Sequence, residues 1–401
     1  MGALPSDYGA AVSPRTTTPP PAEDLVIGAQ PSRPTADTRA LHQLQRALDH
    51  AERPFLGFPD HLLQVMAELA PLLGLLDDQH GGPYETGRFE EGTHPYKRAL
   101  LDYFAVIAGS SPNETHGHVA SCPRAALHSA LALARRRLPQ PSVYVSAEAH
   151  HDVAKTCERL GMNAVRIQAL PDGTMDPDDL RLQTRLRYGA GALVVATCGT
   201  PMRGATDNIA DLRTAAVSSG PVHVHVDASA GALAAAHSSQ APPWSLAHGA
   251  DSLTLSGHPL LSLPVPAGIL LVRREQAPAD GSQSTLPLRV PLTGTHSGLG
   301  ALLLWTRLRS LGRTGVAAMV ARGQDVAAHA LERLDSAGAS PQHLPGSLTV
   351  TFERPPAWVI DKWRLRSEAG LARITTTGPM THAAVDQLAA DLRSARGRAA
   401  A

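Results

Sequence analysis

Lysine is nearly missing from this chain of 401 residues: only Lys97, Lys155 and Lys362 are present, and arginine supplies the rest of the basic set. Chemistry that needs a lysine amine therefore has few candidates. Cysteine is equally sparse, and Cys122, Cys157 and Cys198 are too widely spaced for a disulfide framework or a metal motif. There is no charge excess, with 36 basic against 36 acidic residues, so no electrostatic footprint for nucleic acid exists. No apolar run approaches the roughly 18 residues of a membrane span. The opening Met1–Asp7 segment lacks the basic and apolar blocks of a secretory signal. A cytoplasmic protein that binds neither nucleic acid nor membrane is expected.

What is there is length enough for a large core, 43% hydrophobic residues, and scope for more than one structural unit. Residues 1–38 are rich in Pro, Thr, Ala and Ser, with little to bury, and a disordered tail is expected. Over 39–95 a helical arm is expected. Leu41, Leu44, Ala47 and Leu48, then Leu62, Leu63, Val65 and Met66, recur at helical spacing on either side of a turn at 54–59.

From 96 to 290 helical stretches alternate with short β-branched runs. The helices are read at Tyr96–Ile107, Arg124–Arg137, His151–Leu160 and Ile209–Ser219. The strands are read at Val143–Ser146, Leu193–Thr197, Val222–Asp227, Ser252–Leu255 and Gly268–Val272. Such alternation implies βαβ units and a mostly parallel sheet covered on both faces. Ligands on such a sheet gather at the carboxyl ends of strands, where Asp227 and Ser256-Gly257-His258 fall. Residues 291–401 read as a smaller C-terminal α+β domain. Its helical patterns lie at Leu302–Leu311, Val316–Ala337 and Thr381–Arg396, with strands near Ser347–Phe352 and Ala372–Thr376.

Several motifs then fall into one order: Gly82-Pro-Tyr-Glu85 with Thr93-His94, Ser146–Lys155 (SAEAHHDVAK), Ala196–Asp207 (ATCGTPMRGATD), His225-Val-Asp227, Ser256-Gly-His258, Phe352–Pro355 (FERP) and Lys362–Leu365 (KWRL). In that order they resemble the group II pyridoxal-phosphate-dependent amino-acid decarboxylases, and within them the histidine and serine decarboxylase branch. The likeness spans residues 50–395. It implies a fold-type-I, aspartate-aminotransferase-like α/β large domain with a mostly parallel sheet, plus a small C-terminal α+β domain. It also implies pyridoxal phosphate (PLP) as cofactor. His150 would stack on its ring and Asp227 would pair with its pyridine nitrogen, with Thr200, Ser256, His258 and Arg124 around it.

The departures from that pattern cluster at the site. The family's Ser-Gly-His-Lys reads Ser256-Gly257-His258-Pro259 here, and proline has no amine to hold PLP as a Schiff base. The family's phosphate cup, Ser/Asn-Gly-Gly-Thr-Glu at a helix start, becomes Ser121-Cys122-Pro123-Arg124-Ala125. Pro123 removes an N–H donor, and both cup glycines have gained side chains; Arg124 offers a compensating charge. Gly-Ser-Arg-x-Gly-His becomes Gly294–Leu299 (GTHSGL), and 273–293 holds no tyrosine to donate a proton. PLP, if held, would be noncovalent and weakened.

Three functions follow from the resemblance. The first is a degenerate subunit or pseudoenzyme, as a homodimer or as a heterodimer with a lysine-bearing paralogue. Alternatively it has a re-purposed pocket for a small amino-acid-like ligand, with noncovalent cofactor or PLP-independent chemistry. The third is a slow amino-acid decarboxylase. Other side chains carry alternatives of their own. His150 and Asp227 are equally the hydrogen-bonded supports of buried strand ends. Cys122 with His118 or His150 would make a thiol–imidazole pair, against the inert small residue that cysteine usually is. His223 and His225 alternate with valines and share a strand face. The histidine spacings match no zinc motif, so no metal ligand is assigned. Lys155 stands where the family itself often has lysine and is a poor substitute for the missing one.

Overall fold

The runs of Val, Leu and Ala that the sequence offers as strands become neighbours in one sheet. The computed structural model describes residues 93–138, 141–277, 298–378 and 380–400, with Arg39, His42 and Leu72; the side chains of 258, 259 and 398–400 are outside that description. The chain divides into two compact units, Met1–Phe55 and Leu56–Ala401. Of the first, only the exposed, helical Arg39 and His42 are described. The tail expected over 1–38, nearly all of the arm expected over 39–95, and most of 273–293 lie outside the described residues.

The second unit runs through α1 (His94–Ile107), β1 (Thr115–Ala120), α2 (Pro123–Arg137), β2 (Ser142–Ser146), α3 (His151–Arg159) and β3 (Ala164–Ile167). It continues through α4 (Pro177–Arg185), β4 (Ala192–Thr197), α5 (Ile209–Ala216), β5 (Val222–Asp227) and α6 (Ala232–Ala236). Then come β6 (Ser252–Ser256), the single turn α7 (His258–Leu261) and β7 (Gly268–Arg273). The seven strands lie in the order β1-β7-β6-β5-β4-β2-β3. From β6 to β3 all pairings are parallel, while β7 is antiparallel to both β1 and β6. Every residue of β2, β4 and β6 is buried, as a sheet covered by helices on both faces requires. Polar caps set the helix starts: Asp176 accepts from the Asp178 and Asp179 N–H groups at 2.8 and 3.4 Å, with Pro177 in the first turn of α4.

The remainder comprises α8 (Leu299–Ser336), β8 (Gln342–His343), β9 (Thr349–Glu353), α9 (Ala357–Trp363), β10 (Arg366–Glu368), β11 (Leu371–Thr375) and α10 (His382–Ala400). The four strands form an antiparallel sheet ordered β10-β11-β9-β8. Ala372 and Ile374 of β11 enter a core with Val350, Phe352, Trp363 and the inner face of α10. By the period of two, Arg373 and Thr375 face the other way. The helical patterns read at 302–311 and 316–337 are the two parts of α8, interrupted at Gly312 (φ 63°, ψ 177°). Leu303, Leu304, Leu308, Val316 and Val320 of α8 join the core under the large sheet, whereas Val326, Ala330 and Leu334 join the small one. Among the described residues no helix is long and apolar enough to cross a membrane.

Candidate ligand cavity

Parallel neighbours end together, and here β4, β5 and β6 end on Thr197, Asp227 and Ser256, with Thr197 in register with Asp227. A cavity of about 600 Å³ opens over these three residues. Its opposite wall is the small sheet, through Arg366, Arg373, Thr375 and Thr377. Two glycines let the lining close. A Cβ on Gly231 would lie 2.5 Å from the Cys198 carbonyl oxygen, so the loops after β4 and β5 meet only because it is absent. Gly204, at φ +66°, brings its loop so near the small sheet that a Cβ would lie 2.2 Å from Ser347 Oγ.

His150, Asp227, Ser256, Thr200 and Arg124 all line this cavity. His150 is the N-cap of α3: its Nδ1 accepts from the Asp152 N–H at 3.2 Å, which leaves Nε2 to carry the proton of the neutral ring. Burial lowers its pKa, opposed by nearby Asp152. Asp152, which the sequence did not single out, ties this corner together. Its Oδ2 accepts from Arg124 Nε at 2.8 Å and lies 3.6 Å from His150 Nδ1, while Oδ1 is 3.4 Å from His151 Nε2. The Arg124 charge is therefore matched within the protein. His150, His151 and Asp152 bring three potential metal-ligand atoms within 4.8 Å of one another, but Asp152 is shared with Arg124.

Asp227 accepts from Ser229 Oγ at 2.7 Å and from the Ser229 N–H at 3.3 Å. Desolvation raises its pKa, and those hydrogen bonds oppose the rise. Ser256 Oγ donates to the Ala267 carbonyl at 3.2 Å, and Thr200 Oγ1 accepts from the Ala205 N–H at 2.9 Å. His258 and Pro259 are the first two residues of α7, immediately beyond the end of β6; their side chains lie outside the described residues. Cys122 lines the cavity at the N-cap of α2, while His118 does not. His223 and His225 do share a face, inside the sheet: His223 Nε2 and His225 Nδ1 both meet Ser252 Oγ, at 2.9 and 2.8 Å, and His225 Nε2 meets Thr254 Oγ1 at 2.7 Å.

Sequence reasoning missed the small-sheet wall. Arg373 Nε, Thr375 Oγ1 and Thr377 Oγ1, and across from them Thr197 Oγ1 at the end of β4, are buried without a hydrogen-bond partner among the described residues, and all four residues line the cavity. Burial, with the like charge of Arg366 adding to it, lowers the Arg373 pKa to about 10. The signal available was the alternation Arg373-Ile-Thr375-Thr-Thr377, but only the pairing of β11 with β9 and β10 turns it toward a site. None of the three lysines lines the cavity. Lys97 is buried in α1, Lys155 is exposed on α3, and Lys362 pairs with Asp391 at 2.5 Å.

A mostly parallel sheet with one reversed strand, and a small antiparallel sheet closing over its strand ends, places the protein in the fold-type-I class of PLP-dependent folds. L-methionine decarboxylase from Streptomyces sp. 590 superposes with a TM-score of 0.80 over 93% of this chain and 97% of that one, at 18% identity. Sphingosine-1-phosphate lyase from Burkholderia pseudomallei K96243 gives 0.73 over 93% and 95%, again at 18% identity. At such identities the likeness is one of fold. The sequence profile of the pyridoxal-dependent decarboxylase conserved domain matches residues 131–340, and the chain belongs to that family. Among curated relatives, histidine decarboxylase from Mesorhizobium japonicum is 27% identical over 351 residues, 85% of this chain and 94% of the relative. That from Klebsiella aerogenes is 26% identical over 312 residues, 74% and 82% of the two chains.

The lining meets the needs of the family's cofactor at one end and not at the other. An acid, Asp227, and an imidazole, His150, stand on the cavity wall as a ring clamp requires. The anchors are different. No lysine amine faces the cavity. At the start of α2, Pro123 has no N–H, the Ala125 and Ala126 N–H groups both go to the Cys122 carbonyl at 3.1 and 3.2 Å, and Arg124 is bound to Asp152. A helix start usually offers free donors to an anion; this one lacks the Pro123 N–H and has turned the Ala125 N–H back to the chain. The donor set does not fit a covalently held, phosphate-anchored cofactor.

Proposed function

We propose that this protein is a histidine-decarboxylase-like family member whose own cavity does not carry out the family reaction, Pro259 standing in place of the Schiff-base lysine. It acts as a degenerate subunit or pseudoenzyme in the cytoplasm, as a homodimer or paired with a lysine-bearing paralogue. The observation that carries this reading is the absence of all three lysines from the cavity lining. Covalent attachment and release both depend on an amine within reach of the bound carbonyl group. A second reading, a re-purposed cavity with noncovalent cofactor or none, draws support from the unpartnered polar atoms of the small-sheet wall.

Absorbance spectra after incubation with PLP, followed by borohydride reduction and intact mass, separate these readings. Unchanged mass is expected. Cofactor released intact favours the second reading, and no binding favours the first. A cofactor-sized mass increase overturns both and returns a working, slow amino-acid decarboxylase to consideration.

A further inference from the structure

We propose that Asp152 sets the ligand class of this cavity: its carboxylate takes the place that a ligand's phosphate would fill at the start of α2, so the cavity accepts small organic ligands without a phosphate. The proposal rests on the second reading above, a re-purposed cavity, and names what that cavity selects. Two helices, α2 and α3, begin on the cavity wall, where Pro123, Arg124, His150 and Asp152 line it. Helix starts carry partial positive charge and favour an anion. Arg124, in the first turn of α2, adds a full positive charge. Such a corner calls for negative charge, and the chain itself supplies it. Asp152, in the first turn of α3, accepts from Arg124 Nε at 2.8 Å.

A second anion finds little to hold it there. Arg124 is half exposed, but the Asp152 side chain is only 14% exposed. Its Oδ1 is buried without a hydrogen-bond donor among the described residues, with the exposed His151 imidazole 3.4 Å away. His150 offers no replacement donor at Nδ1, which already accepts from the Asp152 N–H. A phosphate that drew Arg124 away would strand this part-buried carboxylate, and the two anions would repel across one corner. Backbone donors do not compensate, since Pro123 has no N–H and that of Ala125 turns back to the Cys122 carbonyl at 3.1 Å. Asp227 adds a further carboxylate to the large-sheet side of the cavity. A ligand without phosphate meets none of these costs.

Pyridoxine and pyridoxine 5′-phosphate differ by the phosphate alone and carry no aldehyde. Calorimetric titration of each into the full-length chain therefore reads this choice without any Schiff base. The unmodified chain is expected to bind the ester no more than about twofold tighter than pyridoxine. Asp152→Asn frees Arg124 while keeping the shape of the side chain. It should tighten the ester about tenfold or more, the gain typical of a charge-assisted pair, and leave pyridoxine within about twofold. Adding Arg124→Met to that variant should abolish the gain. Circular dichroism confirms folding, and Asp152→Ser gives the same test should Asp152→Asn not fold. An about tenfold preference for the ester in the unmodified chain overturns the proposal. So does an ester affinity unmoved in the folded Asp152 variants, a gain that survives Arg124→Met, or no binding of either probe by any of these chains. A borohydride-trapped PLP adduct would refute both preceding readings without altering these titrations.

Discussion

A histidine sealed inside a sheet resists protonation, and that resistance sets how the fold answers acid. Burial depresses His223 to about 4 and His225 to about 3, against about 6.5 in an unfolded chain. Below about pH 6.5 the unfolded chain takes up protons that the folded one refuses, so stability falls as pH drops toward the folded values. Asp207 works the other way. Burial raises it to about 6 although it accepts from the Met175 and Thr197 N–H groups at 2.7 and 2.8 Å. Its contribution is fully present below about pH 4 and is lost as pH rises through about 6. The two histidines outweigh the one acid, and urea denaturation is expected to give a loss on the order of a few kcal/mol between about pH 7 and about pH 4.5. His225→Gln should flatten that slope; an unchanged slope would show that other groups govern it. A second residue carries a different test. Asp391 accepts from the buried Trp363 indole N–H at 2.7 Å and pairs with Lys362. Asp391→Ala should cost about 1–3 kcal/mol by leaving the indole N–H without an acceptor, measured by the same denaturation.

Elements make their own predictions. Asp176 caps α4 with its side chain, and Asp176→Ala is expected to lose about 1 kcal/mol. Gly312 breaks α8 at φ 63° and ψ 177°, with nothing closer to an added Cβ than Thr314 Oγ1 at 4.0 Å. The cost of Gly312→Ala is therefore conformational, about 1–3 kcal/mol, and a calorimetric melting point no lower than that of the parent chain would contradict it. The elements legible in the sequence were those with an unmistakable period. The run of β4 is nearly all Val, Leu or Ala, β7 carries Ile-Leu-Leu-Val and β5 alternates valine with histidine, and all three sit in the sheet where they were read. β1 was not, because Thr115-His-Gly-His-Val-Ala120 is strand only by virtue of pairing with β7. Short β3 and polar α4 escaped for a related reason: β3 is a four-residue edge strand alternating exposed and buried residues, and in α4 only Leu180 and Thr184 are buried.

At the scale of the whole molecule, legibility divided along the cavity. The large-sheet side was readable because Thr200, Asp227 and Ser256 lie beside strand ends within ordered motifs. The small-sheet side was not, since nothing local to Arg373 reveals that β11 faces residues more than a hundred positions earlier. The assembly proposed above has a direct test. Sedimentation equilibrium is expected to give twice the 42.1 kDa chain mass for a homodimer. A chain that doubles its mass only with a lysine-bearing paralogue supports the heteromeric form, and a persistent monomer would remove both.

One helix, α8, belongs to both hydrophobic cores, and the two walls of the cavity belong to the sheets above those cores. A shift of α8 would therefore bear on both walls of the cavity at once. A molecule wedged between the walls and a protein gripping the outside of that helix would act on the same displacement from opposite ends. Thermodynamic reciprocity requires each to change the other's affinity by one common factor. Were the family's chemistry lost, as proposed above, that exchange would be a form of output that needs no turnover.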